Sequence, residues 1–409
     1  MTEQRRVAIT GLGVKAPGGT KVNELFDSVL AGRSMARTVP ELAERNCITQ
    51  FACKIDGFEP EAYFTARELR QLDFSTRIGV AAAADAIEDA GWDGADSERA
   101  GGYVGTGGST IAALETLILQ YADKPDKVPI QSVPMLMSSS IAARMGIRFK
   151  LRGPCHTLAT ACASGATAIG EALLAIRRGV VDTALAGGVE APITMLVMSA
   201  FARSGAMSQR NDDPTGACRP FDATRDGFVM GEGAAFLVLE EWSRAEARGA
   251  RIYGELAGYA ANSDALHIVA PDEEARGAEA CMRAAIADAG LTPSGIGHVN
   301  SHGTSTQAND RAEALAISRV FGDHRPPVTA TKGVTGHLIG GAGALEAVIA
   351  TLSARTGLIP PIANYTSGPE AELVDLVAGS PRQTAPAPVI SNSFGFGGHN
   401  VSLVITPAP

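Results

Sequence analysis

The chain has 409 residues, 45% of them hydrophobic and 19% charged, with a formal net charge of −9. That balance belongs to a folded globular protein, and the acidic charge without a long basic run removes the usual electrostatic basis for binding nucleic acid. No stretch approaches the ~20 apolar residues needed to span a bilayer, so no membrane role is expected.

The apolar run in MTEQRRVAITGLGV is short and strand-like, unlike the core of a signal peptide, which predicts a soluble, cytoplasmic protein. Arg6–Gly11 reads as a first strand and Ser75–Ala90 as a buried Ala-rich helix. Gly102–Gly105 reads as a strand entering the turn GTGGST. Cys162–Arg178 follows as a helix, with strands at Ala184–Val189 and Phe236–Glu240. Trp242–Gly249, polar and helical, predicts a bridge between two halves, 1–249 and 250–409. The second half repeats the rhythm: strand Ile252–Tyr259, helix Glu274–Ala289, strand His298–Ser301, helix Arg311–Phe321, a helix after Gly340, and two strands flanking SFGFGGHN. Alternating strands and helices define an α/β protein.

Six cysteines are present (Cys47, Cys53, Cys155, Cys162, Cys218 and Cys281), and none forms a CxxC pair, which argues against structural zinc. Without an export signal a disulfide framework is not expected either, so any special cysteine is a candidate nucleophile. Cys162, in TACASG, precedes a helical run. There unpaired N–H groups and the helix dipole favour a thiolate, and the expected thiol pKa is below the ordinary value. Taken alone, it reads more readily as a small buried hydrophobe. His302, in NSHGTST, lies in a polar loop past a predicted strand, where α/β proteins place ligands. Lys332 and His337, in TKGVTGHLIG, share a Gly-rich loop before an Ala-rich helix. The alternating Phe394 and Phe396 of SFGFGG suit a backbone shaped to bring N–H groups to an oxyanion.

TACASG, HGTST, TKGVTGH and SFGFGG, in this order and with VAITGLGV and FDATRDGFVMGEGA, resemble the β-ketoacyl synthases of the thiolase superfamily, of the elongating Cys-His-His kind. The resemblance implies a five-layered α/β/α/β/α fold of two similar halves. It makes Cys162 the acyl-accepting nucleophile, His302 and His337 the paired histidines and Lys332 the active-site lysine. It further implies that Thr304 and Thr306 hold the pantetheine arm of an acyl carrier protein, that Phe396 gates the site and lends its N–H to the oxyanion hole, and that Asp310 and Glu313 order the histidine loop. Gly108 stands where relatives carry a bulkier acyl-pocket residue. The implied reaction is a decarboxylative condensation of a Cys-bound acyl chain with malonyl on the carrier protein. It needs no metal or organic cofactor.

HGTSTQAND departs from the HGTSTPxGD of fatty-acid enzymes and is similar to ketosynthase subunits of type II polyketide synthases, whereas NSFGFGG is closer to the fatty-acid type. The pathway expected is polyketide assembly, with an elongating fatty-acid synthase II as the alternative. The partner is either a second copy or a chain-length-factor-like subunit. The complete Cys162 motif argues against a non-catalytic chain-length factor, and the lack of a cysteine after Cys281 argues against a degradative thiolase. Cys155 and His156 are expected to be strand packing, His267 to lie near the entrance, and His298 and His324 to be surface or turn residues.

Overall fold

The computed structural model describes residues 4–94 and 96–409. Strands β1 (Val7–Lys15), β2 (Ala100–Gly105), β3 (Cys155–Leu158), β4 (Thr183–Glu190) and β5 (Gly233–Glu241) come from the first half. The second half supplies β6 (Gly254–Ser263), β7 (His298–Asn300), β8 (Pro327–Thr329), β9 (Asp375–Leu376), β10 (Val389–Gly395) and β11 (His399–Pro407). All belong to one 11-stranded sheet, ordered β9-β8-β7-β10-β11-β6-β1-β5-β4-β2-β3. Its halves meet through a short antiparallel pairing of Ala8 and Ile9 with Glu255 and Gly254.

Each half follows one plan. From that junction outward, the first half runs β1-β5-β4-β2-β3 and the second β6-β11-β10-β7-β8. The inner pairings are antiparallel and the outer ones parallel in both. The likeness of element order visible in the sequence is therefore a likeness of topology.

Seven helices matter for the site: α1 (Phe74–Ala90), α2 (Ile111–Tyr121), α3 (Ser140–Phe149), α4 (Ser164–Arg177), α5 (Arg276–Asp288), α6 (Gln307–Phe321) and α7 (Ala342–Thr356). In α7 every residue from Ala342 to Ala354 is buried, as befits a helix apolar on all sides. It packs against α4 and against strands of both halves, so α4 and α7 form the middle layer. α1 and α3 cover one outer face, and α5 and α6 the other. The result is α/β/α/β/α. Small side chains make this possible, because Ala and Gly let two helices lie between the two halves of the sheet without voids.

The expected helix at Cys162–Arg178 begins later than the sequence suggests. Residues Ala161–Ala163 form a tight 3₁₀ turn, and the α-helix starts at Ser164. His298 is a clear departure. It opens β7 and is buried, and neither ring nitrogen has a partner among the described residues. Burial pushes its pKa down to about 3. His324 lies in an exposed turn, as expected. No described helix is long and apolar enough to cross a membrane.

Candidate active site

Cys162 stands between β3 and α4. Ala161, just before it, takes φ +50°, a left-handed angle that costs a non-glycine residue roughly 1–2 kcal/mol. Ala163 N–H closes the turn onto Thr160 O at 3.0 Å, and Ser164 Oγ accepts from Thr160 N at 2.9 Å. This turn holds the cysteine in front of the α4 N-terminus.

The loop after β7 presents His302. Glu313, in the second turn of α6, accepts the N–H groups of His302 and Gly303, each at 2.8 Å. Asp310 accepts from Ser305 N and Phe221 N, with Arg225 3.6 Å away. Both carboxyls are buried, which raises Glu313 to about 7 and Asp310 to about 6 against the N–H groups that pull them down. Thr306 caps α6, and its Oγ1 lies 2.9 Å from that of Thr304.

The loop between β8 and α7 is the topological counterpart of the cysteine loop, and it carries Lys332 and His337. Lys332 Nζ lies 3.2 Å from His302 Nδ1, 2.6 Å from His302 O and 2.5 Å from Glu346 Oε1, all buried. An ammonium can only donate, so His302 Nδ1 accepts and its ring proton resides on Nε2. Burial, then Lys332, hold both histidines well below their ordinary pKa, as neutral imidazoles. The two rings stand nearly perpendicular, 83° apart with centroids 5.3 Å apart.

These loops converge. Cys162 Sγ and ring nitrogens of His302 and His337 lie within 4.8 Å of one another. Such donors suit a soft metal in principle, but the ammonium beside His302 opposes a second cation there. The expectation of a depressed thiol pKa fails. Burial pushes Cys162 up to about 11, against the pull of Lys332, the Phe396 N–H and its own N–H. Desolvation of the thiolate outweighs the pull of the ammonium and of the two N–H groups. The resting trio is a thiol and two neutral rings.

Phe396 follows β10, where the turn Phe396–Gly398 needs left-handed angles at Gly397 (φ +85°) and Gly398 (φ +74°). Gly395 packs so closely that a Cβ there would sit 2.7 Å from Thr160 O and 3.1 Å from Cys162 N. That contact keeps the N–H groups of Phe396 and Cys162 side by side at the sulfur.

A cavity of about 390 Å³ opens over this centre. Cys162, His302, His337, Thr304, Thr306, Phe394 and Phe396 all line it. Gly108 does not. It is half-buried, with its N–H on Glu190, and faces Ile111 of α2. His267 sits in an exposed loop whose Val269 and Ala270 form part of the cavity mouth, and its Nδ1 accepts from both of their N–H groups at 3.0 and 2.9 Å. Cys155 and His156 lie on edge strand β3. His399 pairs across the hairpin with Gly395.

Sequence reasoning missed Glu346, Arg225 and Glu190. A glutamate inside the apolar run GALEAVIA was a legible signal, since a charge seldom stays fully buried unless paired. Arg225 offered none. It is buried against Glu370 and the carbonyls of Thr306 and Gln307.

Residues 4–245 match the family model "Beta-ketoacyl synthase, N-terminal domain", and residues 253–366 match its C-terminal counterpart. The 3-oxoacyl-[acyl-carrier-protein] synthase 2 of Vibrio cholerae is 39% identical, covering 98% of this chain and 99% of that protein. Among solved structures, a type II PKS acyl-carrier protein in complex with its ketosynthase bound to the hexaketide superposes with a TM-score of 0.92 at 29% identity, covering all of both chains. The ishigamide ketosynthase/chain length factor gives 0.91 at 34%, again over the whole of both chains.

Proposed function

The chain belongs to the β-ketoacyl synthase family and is an acyltransferase, a decarboxylating condensing enzyme, and from that premise we propose that it elongates acyl chains on an acyl carrier protein as a 3-oxoacyl synthase of the second type. The observation that supports this is the meeting of Cys162 with His302 and His337 within 4.8 Å, beneath a cavity rimmed by Thr304 and Thr306.

The chemistry follows from the groups. An acyl thioester of the carrier's pantetheine lies along Thr304 and Thr306, its carbonyl oxygen against the N–H groups of Cys162 and Phe396. The thiol passes its proton to a neutral imidazole, the sulfur attacks, and the carrier thiol leaves with that proton. Malonyl-carrier protein then enters and loses carbon dioxide. The enolate oxygen takes hydrogen bonds from the histidine rings, His302 offering its Nε2–H, and the enolate carbon attacks the Cys162 thioester. A β-ketoacyl chain longer by two carbons departs on the carrier, and the sulfur leaves to be reprotonated. Lys332, fixed by Glu346, keeps the His302 proton on the nitrogen that faces the substrate.

The pathway reading shifts from the sequence expectation. Identity of 39% over nearly the full length to a 3-oxoacyl synthase 2, against 29% and 34% to the polyketide systems, supports the elongating synthase over the polyketide ketosynthase. A specific feature keeps the polyketide reading second. Gln307 and Asn309 at the cavity mouth bond Arg225 O (2.7 Å) and Asp310 Oδ1 (3.1 Å), and they are the residues that depart from the fatty-acid pattern.

The partner subunit would dock on α2 and the segment after it, where Ile118, Leu119, Ile130 and Val133 are exposed. A second copy fits the elongating synthase, and a chain-length-factor-like subunit fits the polyketide reading. Intact-mass spectrometry after incubation with acyl-carrier protein tests the proposal. An acyl adduct on Cys162, released as β-ketoacyl product by malonyl-carrier protein, is the expected result; an unmodified Cys162 would defeat it.

A further inference from the structure

Glu190 ends β4 with its carboxyl turned inward, 1% exposed, and no cation pairs with it among the described residues. It collects backbone donors instead. Gly107 N lies 2.6 Å from Oε2, Gly108 N 3.1 Å from Oε1 and Gly340 N 3.2 Å from Oε2, with the Thr106 hydroxyl at 3.4 Å. These donors come from two loops, the turn after β2 and the turn that leads into α7. Both loops abut the nucleophile. Ser164 Oγ, two residues past Cys162, donates to Thr106 O at 3.2 Å, and Ile339, next to Gly340, lines the cavity with Cys162. The packing leaves no slack, since a Cβ on Gly340 would fall 2.1 Å from Gly107 N and 2.7 Å from Glu190 Oε2.

We infer that Glu190 is a positioning residue for acyl transfer: its carboxylate ties the Gly107–Gly108 and Gly340 turns together behind Cys162, and its unpaired negative charge adds to burial in keeping the sulfur a thiol until substrate arrives. This rests on the reading of Cys162 as the acyl acceptor. Burial is the largest cause that holds the Cys162 thiol up and the ammonium of Lys332 pulls it down, while Glu190, a buried anion near the sulfur, opposes formation of a second anion and adds to the rise. The other groups at the sulfur are the neutral rings of His302 and His337 and the N–H of Phe396, none of them an anion. At Glu190 itself every neighbour is a neutral donor. Burial lifts its own pKa to about 7, so its charge appears as the pH passes through neutrality. A resting thiol is protected from alkylation and oxidation, which act on the thiolate. The proton then leaves for an imidazole only when an acyl group is in place.

The test is the pH dependence of iodoacetamide alkylation at Cys162, located by peptide mass spectrometry, in the full-length wild type and in Glu190→Gln and Glu190→Asp. In Glu190→Gln the thiolate curve moves to lower pH, and alkylation at pH 8 rises about tenfold, the effect of one pKa unit. Glu190→Asp keeps the charge but shortens the reach to Gly340, so its curve stays with the wild type. Both variants lose acyl transfer. A Glu190→Gln curve that overlays the wild type or moves upward overturns the inference, because a purely structural role would leave thiol ionisation in place.

Should Glu190→Gln fail to fold, the wild-type profile decides. A carboxyl ionising near neutrality makes the log-rate plot shallower than unit slope between pH 6 and 8, and a unit slope throughout overturns the proposal. Absence of an acyl adduct on wild-type Cys162 is a separate result, and it counts against the function rather than against Glu190.

Discussion

Oε1 of Glu346 lies 2.5 Å from Nζ of Lys332, while its other oxygen, Oε2, is buried with no hydrogen-bond partner among the described residues. The pair is held together by that single contact. Removing the ammonium in Lys332→Met leaves a buried carboxylate alone, a change that costs about 3–5 kcal/mol where the charge persists. Burial already lifts Glu346 to about 7, so the variant escapes part of this loss by taking up a proton in acid. Urea midpoints should therefore fall more at pH 8 than at pH 6. The double variant Lys332→Met/Glu346→Leu should recover stability without recovering condensation.

The two histidines carry the enolate, so His302→Ala and His337→Ala should each slow release of carbon dioxide from malonyl-carrier protein. Losing one oxyanion donor costs about 2.7–4 kcal/mol, a factor of roughly 10²–10³. Cys162→Ala should abolish condensation yet still release carbon dioxide. Release unchanged in both histidine variants would remove them from this role.

A methyl group at Gly395 enters the space between Thr160 O and Cys162 N. Gly395→Ala should displace the Phe396 N–H from the sulfur and cut kcat by roughly 10²-fold, the lower end for a lost oxyanion donor. KM for the carrier protein should change little, since Thr304 and Thr306 are untouched. A loss confined to KM would contradict this.

His298 is neutral in the fold, with a pKa of about 3, but takes a proton near 6.5 once unfolded. The unfolded chain therefore binds more protons between those values, and stability drains away as pH falls below 6.5. Each pH unit in that window removes about 1.4 kcal/mol from this group alone. Replacing it in His298→Phe should flatten the acid side of a denaturation-midpoint curve, and an unaltered acid limb would count against it.

The apolar face of α2 predicts association. Ile118→Asp with Leu119→Asp should shift the mass measured by light scattering toward the single chain and should leave the secondary structure unaltered. A wild type that already runs as a single chain would refute pairing with a second copy.

The sequence revealed most of what depends on local patterning. Strand runs such as Phe236–Glu240 and the Ala-rich helices were visible because their periods and compositions are set by burial. The four site motifs were visible because each concentrates Gly and hydroxyl residues around one reactive group. What escaped needed three dimensions. The thiol pKa of Cys162 depends on how completely distant loops exclude water from it. His298 was placed at the start of a strand but expected at the surface, because a histidine opening a three-residue strand after Gly297 gives no local sign of burial. Gly108 was expected at an acyl pocket, but its N–H turns to Glu190, a contact spanning 82 residues.

The cysteine loop and the lysine–histidine loop occupy the same slot in two copies of one topology. Neither copy holds a complete set of reactive groups, so competence arises only at the seam between them. A lesion that loosens the seam, at Ala8 or Glu255 for instance, should lower activity and stability together, because side chains of both halves fill one common core.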